Sequence, residues 1–308
     1  MSISILLAEK IAQLFLILLM GYLVVRVGLL KPEDSRVLSV IMVYLVMPCM
    51  ILNAFQIDNT PEVRTGIAYS FVVAGIMHLL FLALTALLKK PLKLDVIERC
   101  AVIYSNASAL VIPLLQATLG SEYVVYSCGF IIVQLVLLWT HASSLLQGSS
   151  ALDWKKVLTN INMIAIFAGV LLFLLQIQLP APVQDAVDSI SSMVGPMGML
   201  ILGMLIAEMD LKKLMSYHRL WWITLLRLVG IPLIGIVLLK YSSLAALVPE
   251  GRTILLVTLL AICTPSASTL TQMAQVYGKD ADYASAINVV TTLLCIVTMP
   301  LMVALYQM

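Results

Sequence analysis

The sequence predicts an all-α integral membrane protein of ten transmembrane helices in two inverted five-helix repeats, and three observations lead there. Apolar residues fill 62% of the 308 positions and charged residues only 11%, against roughly 45–50% and about 25% in a soluble domain. Charge this scarce cannot clothe a water-soluble chain of this size. The apolar residues fall in long runs, near the ~20 that a helix needs to cross the hydrocarbon core. Landmarks also recur at fixed offsets. Gly21, Pro32 and Pro48 return 148 positions later as Gly169, Pro180 and Pro196, while Ser108, Gly120, Glu122 and Ser127 return 158 positions later as Ser266, Gly278, Asp280 and Ser285.

The ten spans fall at 9–29, 37–55, 67–88, 100–118, 122–146, 158–178, 184–206, 220–241, 253–276 and 282–306. Short connectors hold most of the charges, as in Lys31-Pro32-Glu33-Asp34 and Lys89-Lys90-Pro91-Leu92-Lys93. Loops after odd-numbered spans carry Lys31, Arg36, Lys89, Lys90, Lys93, Arg99, Lys155, Lys156, Lys212, Lys213, Arg219 and Lys279; the other side has Arg64 and Arg252, with Lys10 and Lys240 near span ends. Cytoplasmic loops carry the lysine and arginine excess. The odd loops are therefore expected in the cytoplasm of a cell-membrane protein, with both termini outside. Residues 1–150 and 151–308 each hold five spans, an odd number, so the halves enter the membrane from opposite sides. Secondary transporters are commonly built this way, with substrate bound near the midplane at discontinuous helices.

Several classes find no support. A net charge of +2 without a basic run gives no reason to expect nucleic acid. Cys49, Cys100, Cys128, Cys263 and Cys295 sit inside apolar runs at no metal-ligand spacing and read as small fillers. The first span lacks a basic leader and a small-residue cleavage site, so it reads as a retained helix. No H-E-x-x-H, no P-loop and no mid-span acid is present, since Glu9, Glu98 and Glu208 lie near span ends. An enzyme, an ATP-driven pump and a bound cofactor are accordingly not expected.

The spans to examine are those with paired breaks. The fourth reads Ile103-Tyr104-Ser105-Asn106-Ala107-Ser108 and continues to Pro113; the ninth reads Cys263-Thr264-Pro265-Ser266-Ala267-Ser268. Thr264-Pro265 has the form of a helix start, a capping oxygen followed by proline. Asn106, equivalent to Thr264 at the 158 offset, can cap a second half-helix. Pro113 lacks an N–H and frees the carbonyl of Ala109. Freed backbone groups cannot face lipid, so they must line a cavity or be buried in protein. Two half-helix N-termini at the midplane would suit an anion.

Ser105-Asn106, Ile112-Pro113-Leu114 and Leu119-Gly120 resemble the fourth helix of the auxin efflux carrier family, which includes plant PIN carriers and bacterial permeases for malate and similar acids. Thr264-Pro265-Ser266 with Gln275-Val276-Tyr277-Gly278 resembles its ninth, and Gly21-Tyr22, Gly28-Leu29-Leu30 and Met47-Pro48 also fit. The resemblance spans nearly the whole chain. It implies that broken helices 4 and 9 cross. It also implies a scaffold of helices 1, 2, 6 and 7, a homodimer formed through it, and a transport domain of helices 3–5 and 8–10. Asn106 matches the family's substrate-contacting asparagine, and Ser266 stands where plant members often carry an amide.

Other polar residues at depth complete the candidate site. Arg227 lies about 10 Å of helix rise beyond Leu220 at ~1.5 Å per residue, and is read either as a counter-ion for a carboxylate or as a snorkelling side chain. His78 is either a packed, hydrogen-bonded ring or a proton carrier. Gln134 and Asn288 either line the site or bond helix to helix. The resulting expectation is a carrier for a small organic anion, a mono- or dicarboxylate such as malate, with a channel or receptor on the same fold as the alternative. Uniport is expected first, proton coupling through His78 second and sodium coupling through unwound carbonyls third.

Overall fold

The computed structural model describes residues 3–148, 159, 161–208 and 217–308, and all regular structure among them is helical. The segments are α1 (Ile3–Arg26), α2 (Pro32–Ala54), α3 (Pro61–Leu88), α4 (Val96–Ile103), α5 (Ala107–Thr118), α6 (Val124–Gln147), α7 (Ile161–Leu175), α8 (Ala181–Ala207), α9 (Leu220–Tyr241), α10 (Gly251–Cys263), α11 (Ser268–Val276) and α12 (Ala281–Gln307). Six of these, α2, α3, α6, α8, α9 and α12, are long and apolar enough to cross a membrane; Ala12–Arg26, α7 and α10 are shorter apolar helices. The fourth and ninth expected spans each appear as two helices, α4 with α5 and α10 with α11. Lys155, Lys156, Lys212 and Lys213 lie outside the described residues.

Local chemistry sets the starts. The Thr60 hydroxyl accepts from Val63 N–H at 3.2 Å ahead of Pro61, and Asp95 with Glu98 forms a reciprocal capping box at α4. Asp280 caps α12 through Tyr283 N–H. Wide turns at Met42–Val46 and Leu226–Gly230 immediately precede Pro48 and Pro232, where proline interrupts the i→i−4 ladder.

Two packed groups follow. In the first, α1 lies along the second half of α8. A Cβ on Gly21 would strike the Leu200 carbonyl, and one on Gly203 the Leu18 carbonyl and the Tyr22 nitrogen. Small residues admit such backbone contact, the main source of helix association in lipid. The end of α2 packs on α7 and on the start of α8. Asn53 bonds Ser191 at 3.3 Å and Gln184 at 2.7 Å, and Asn59 donates to the Phe173 carbonyl at 3.2 Å. In the second group α3 rests on α6, with Gly129 against Ser70 and Gly66 against the Tyr126 ring. The groups meet where α1 lies on α5 and α12 and α8 lies on α5, around a separate apolar cluster of Leu18, Leu110 and Met199.

The two ends of the molecule differ in charge. At one, Arg219 ahead of α9 grips the buried Glu98 with bonds of 2.6 and 2.7 Å and reaches the Leu92 and Lys93 carbonyls, while Tyr283 donates to the same carboxylate at 3.0 Å. Loops after α3 and before α9 and α12 thus gather there. At the other, the α2–α3, α5–α6 and α9–α10 connections line a cavity of 510 Å³ whose walls include Asp58, Glu62, Glu122 and Glu250.

The glycine contacts give the first test. Gly203→Ala gains helix propensity worth about 0.5–1 kcal/mol but overpacks against backbone, at a cost of about 1–3 kcal/mol. Gly75, with no atom within 4 Å of an added Cβ, is the control. Thermal unfolding in detergent should show Gly203→Ala and Gly21→Ala destabilised and Gly75→Ala unchanged or improved; equal behaviour of all three removes the close contact as a stabilising feature.

Candidate functional site

α4 ends at Ile103 and α5 starts at Ala107; α10 ends at Cys263 and α11 starts at Ser268. The two gaps cross as antiparallel extended segments, with Ser105 opposite Ser266. Asn106 N–H donates to the Pro265 carbonyl at 2.8 Å, and Ala267 N–H to the Tyr104 carbonyl at 3.0 Å. In such a pair the two central residues turn their own N–H and C=O groups outward from the crossing. Both serines are buried, so those groups need protein partners.

Side chains from α6 and α12 supply them. Gln134 accepts from Ser105 N–H and from its hydroxyl, both at 2.8 Å, and donates to the Ser105 carbonyl at 2.7 Å. Thr291 accepts from Ser266 N–H at 3.1 Å, and Asn288 donates to the Ser266 carbonyl at 2.6 Å. Gln134 and Asn288 thus bond to the backbone of the two breaks. The Ser266 hydroxyl is buried without a hydrogen-bond partner.

Arg227 lies behind the crossing and is 0% exposed. Its guanidinium donates to Val102 O at 3.1 Å, Ile262 O at 3.0 Å and Thr264 O at 2.7 Å. Snorkelling is thereby corrected: the wide turn ahead of Pro232 holds Arg227, and the carboxyl ends of α4 and α10 draw its charge inward. Its Nη donors sit on carbonyls, away from the role of direct counter-ion. His78 is fully buried, donates through Nδ1 to the Ala74 carbonyl of its own helix at 2.8 Å and lies tilted against the Phe130 ring, 4.5 Å between centroids, with Nε2 unpaired.

Two further expectations change. Thr264 does not start a half-helix. It terminates α10, its hydroxyl donating back to Ala261 O at 2.8 Å, and three extended residues follow before the helix resumes. The bridge sets Asn106 opposite Pro265, and Tyr104 opposite Ala267, rather than pairing Asn106 with Thr264. Asn106 does occupy the cap position of α5, but its side chain makes no capping bond. α5 runs through Pro113 without a break; the side chains of Ser108 and Pro113 lie outside the described set.

The open edge of the crossing consists of Asn106, half-buried, and Ser268, exposed, whose hydroxyl is 3.5 Å from the Asn106 Oδ1. They stand at the N-termini of α5 and α11, where the first N–H groups of a helix lack intrahelical partners. Sequence reasoning missed Ser268 and Thr291. Ser268 opens α11, a start that the 158 offset does not show, and the i+3 spacing from Asn288 on one helix face finds the second.

Removing the outward partners should be costly. Gln134→Leu strands a buried N–H and C=O, each worth about 1–3 kcal/mol, and Asn288→Leu strands one carbonyl. Thermal unfolding should rank Gln134→Leu below Asn288→Leu below the parent, with non-additive losses in the double variant because both hold one crossing. Additive, sub-kilocalorie effects would show the crossing to be indifferent to these amides.

A family model described as membrane transport protein matches the chain twice, over residues 6–152 and 149–303. Among curated proteins none matches the sequence. The double match covers nearly every residue and agrees with the two broken helices, one per copy. With paired helix breaks, their crossing and the repeated match in hand, the chain belongs to this membrane transport protein family, that of the auxin efflux carriers.

Proposed function

We propose that the protein is a carrier for a small organic anion, a mono- or dicarboxylate of malate-like size, that binds at the open edge of the crossing. One observation carries this reading. Two half-helix N-termini, α5 and α11, begin side by side with Asn106 and Ser268 at their heads. Their partial positive ends and unpaired N–H groups favour a carboxylate. No carboxylate among the described residues hydrogen-bonds to Asn106 or Ser268. Arg227 adds a fixed positive charge behind the crossing without blocking it.

The mechanism this supports is alternating access across ten passes, counting α4 with α5 and α10 with α11 as one each, in two inverted halves. α1, α2, α7 and α8 act as scaffold; α3–α6 and α9–α12 move as one body, tied by the crossing and by Glu98–Arg219–Tyr283. The lysine-bearing end faces the cytoplasm of a cell membrane, with both termini outside. The crossing is closed by Gln134, Asn288, Thr291 and Arg227, which favours a carrier over an open channel. Uniport ranks first among coupling modes, because His78 bonds its own helix and packs against Phe130. Export of one negative charge from a cell negative inside gains ~2.3 kcal/mol per 100 mV.

Purified protein in liposomes tests both parts. Saturable counterflow is expected with one or more carboxylates from a panel, and none with sugars or cations. Asn106→Ala should reduce flux about tenfold or more, the equivalent of ~1.4 kcal/mol, with thermal stability retained. Counterflow limited to cations would overturn the anion reading, and an unaltered Asn106→Ala carrier would move the site elsewhere. Uniport predicts a response to imposed potential and none to a sodium gradient. Accumulation driven by a pH gradient at zero potential, and lost in His78→Ala, would replace uniport with proton coupling.

A further inference from the structure

The carboxyl ends of α4 and α10 point into one buried volume. Each carries a partial negative charge of roughly half an elementary unit, and two such ends in a low-dielectric interior repel unless a cation lies between them. In transporters with broken helices, this combination of half-helix C-termini and unwound carbonyls is the usual holder of a coupling sodium or proton. Here the carbonyls of Val102, Ile262 and Thr264 converge on the Arg227 guanidinium at 2.7–3.1 Å. No carboxylate among the described residues bonds to that group, so the countercharge they supply is that of the two helix ends. The planar fork of arginine suits carbonyls arriving from different helices, and its charge is permanent. Of the hydroxyls at the crossing, Thr264 Oγ1 donates to Ala261 and Ser105 Oγ to Gln134, while Ser266 Oγ has no partner.

We propose that Arg227 is a tethered cation standing in the position of a coupling ion, so that the crossing is held together, and the carrier cycles, without sodium. Arg227 is thus a positioning residue, acting on substrate only through the crossing it secures. Only the transport arm of the test rests on the carrier reading; the binding arm needs no substrate.

The experiment uses the purified full chain with Arg227→Lys, Arg227→Met and Arg227→Ala. Wild-type thermal stability, and transport once a substrate is in hand, should not change when sodium is exchanged for choline at equal ionic strength. Arg227→Lys, which keeps the charge without the fork, should melt clearly above Arg227→Met, which keeps bulk but no charge. Arg227→Ala should lose transport about tenfold or more, as when a buried hydrogen-bonded charge is removed. Low-millimolar guanidinium or methylguanidinium should restore its melting temperature saturably, and urea or choline should not. A bulk-filling role does not produce that rescue. The proposal is overturned by a sodium requirement in the wild type, by equal stability of Arg227→Met and Arg227→Lys, or by a folded Arg227→Ala that no small cation stabilises. If Arg227→Ala does not fold, the Lys–Met pair decides, and if neither of those folds, the sodium–choline comparison on wild type does. Failure to find any transported substrate leaves the melting data intact, and so separates this proposal from the carrier reading.

Discussion

A helix that stops inside a membrane exposes backbone groups that water cannot reach, and the architecture around the crossing is arranged to meet that demand. Each unsatisfied N–H or C=O in hydrocarbon costs several kcal/mol. Tyr104–Asn106 and Thr264–Ala267 answer half of it by pairing with one another. Pairing leaves the outward groups of Ser105 and Ser266, and these dictate the presence of an amide on α6 and of an amide with a hydroxyl on α12. The carbonyls at the ends of α4 and α10 in turn dictate a buried cation on α9. Gln134, Asn288, Thr291 and Arg227 are scattered across 158 positions of sequence, yet they serve a single set of peptide groups.

The same logic separates what is closely packed from what is exposed. Backbone-to-backbone contacts through Gly21, Gly203 and Gly129 lie within each of the two helix groups. Between the groups the contact rests on side chains such as Leu18, Leu110 and Met199. Interlocked backbones resist sliding, while a surface of flexible leucine and methionine side chains can repack. The distribution of glycine thus matches a molecule whose two groups are each stiff and whose mutual boundary is the softer one.

Much of this was legible in the sequence. Helical spans announce themselves by apolar length, and the breaks by Ser105-Asn106 and Thr264-Pro265, because proline and small polar residues in an apolar run have few other uses. The register between the breaks was not legible. Gly120 and Gly278, both with positive φ beyond the ends of α5 and α11, do correspond at the 158 offset. The first half-helices differ in length, Val96–Ile103 against Gly251–Cys263, so that offset misplaced Thr264 as a cap. Arg227 was misjudged for a related reason. An arginine's distance from the headgroups can be counted along the chain, but the carbonyls that draw it inward belong to two other helices, 125 and 35 residues away.

The acidic cavity at the end opposite Arg219 carries a consequence for kinetics. Asp58, Glu62, Glu122 and Glu250 line that cavity, and clefts lined by one sign of charge focus their field into the opening. For the anion proposed above, entry past these carboxylates would meet repulsion that entry at the lysine-bearing end would not, and exit there would be hastened. For a passive carrier this cannot move the gradient at which net flux stops, since equilibrium is indifferent to the path. Under the proposed anion carriage it would set an asymmetry: a higher half-saturation concentration on the acidic side than on the basic one, shrinking as added salt shortens the Debye length below the ~8 Å of physiological solution.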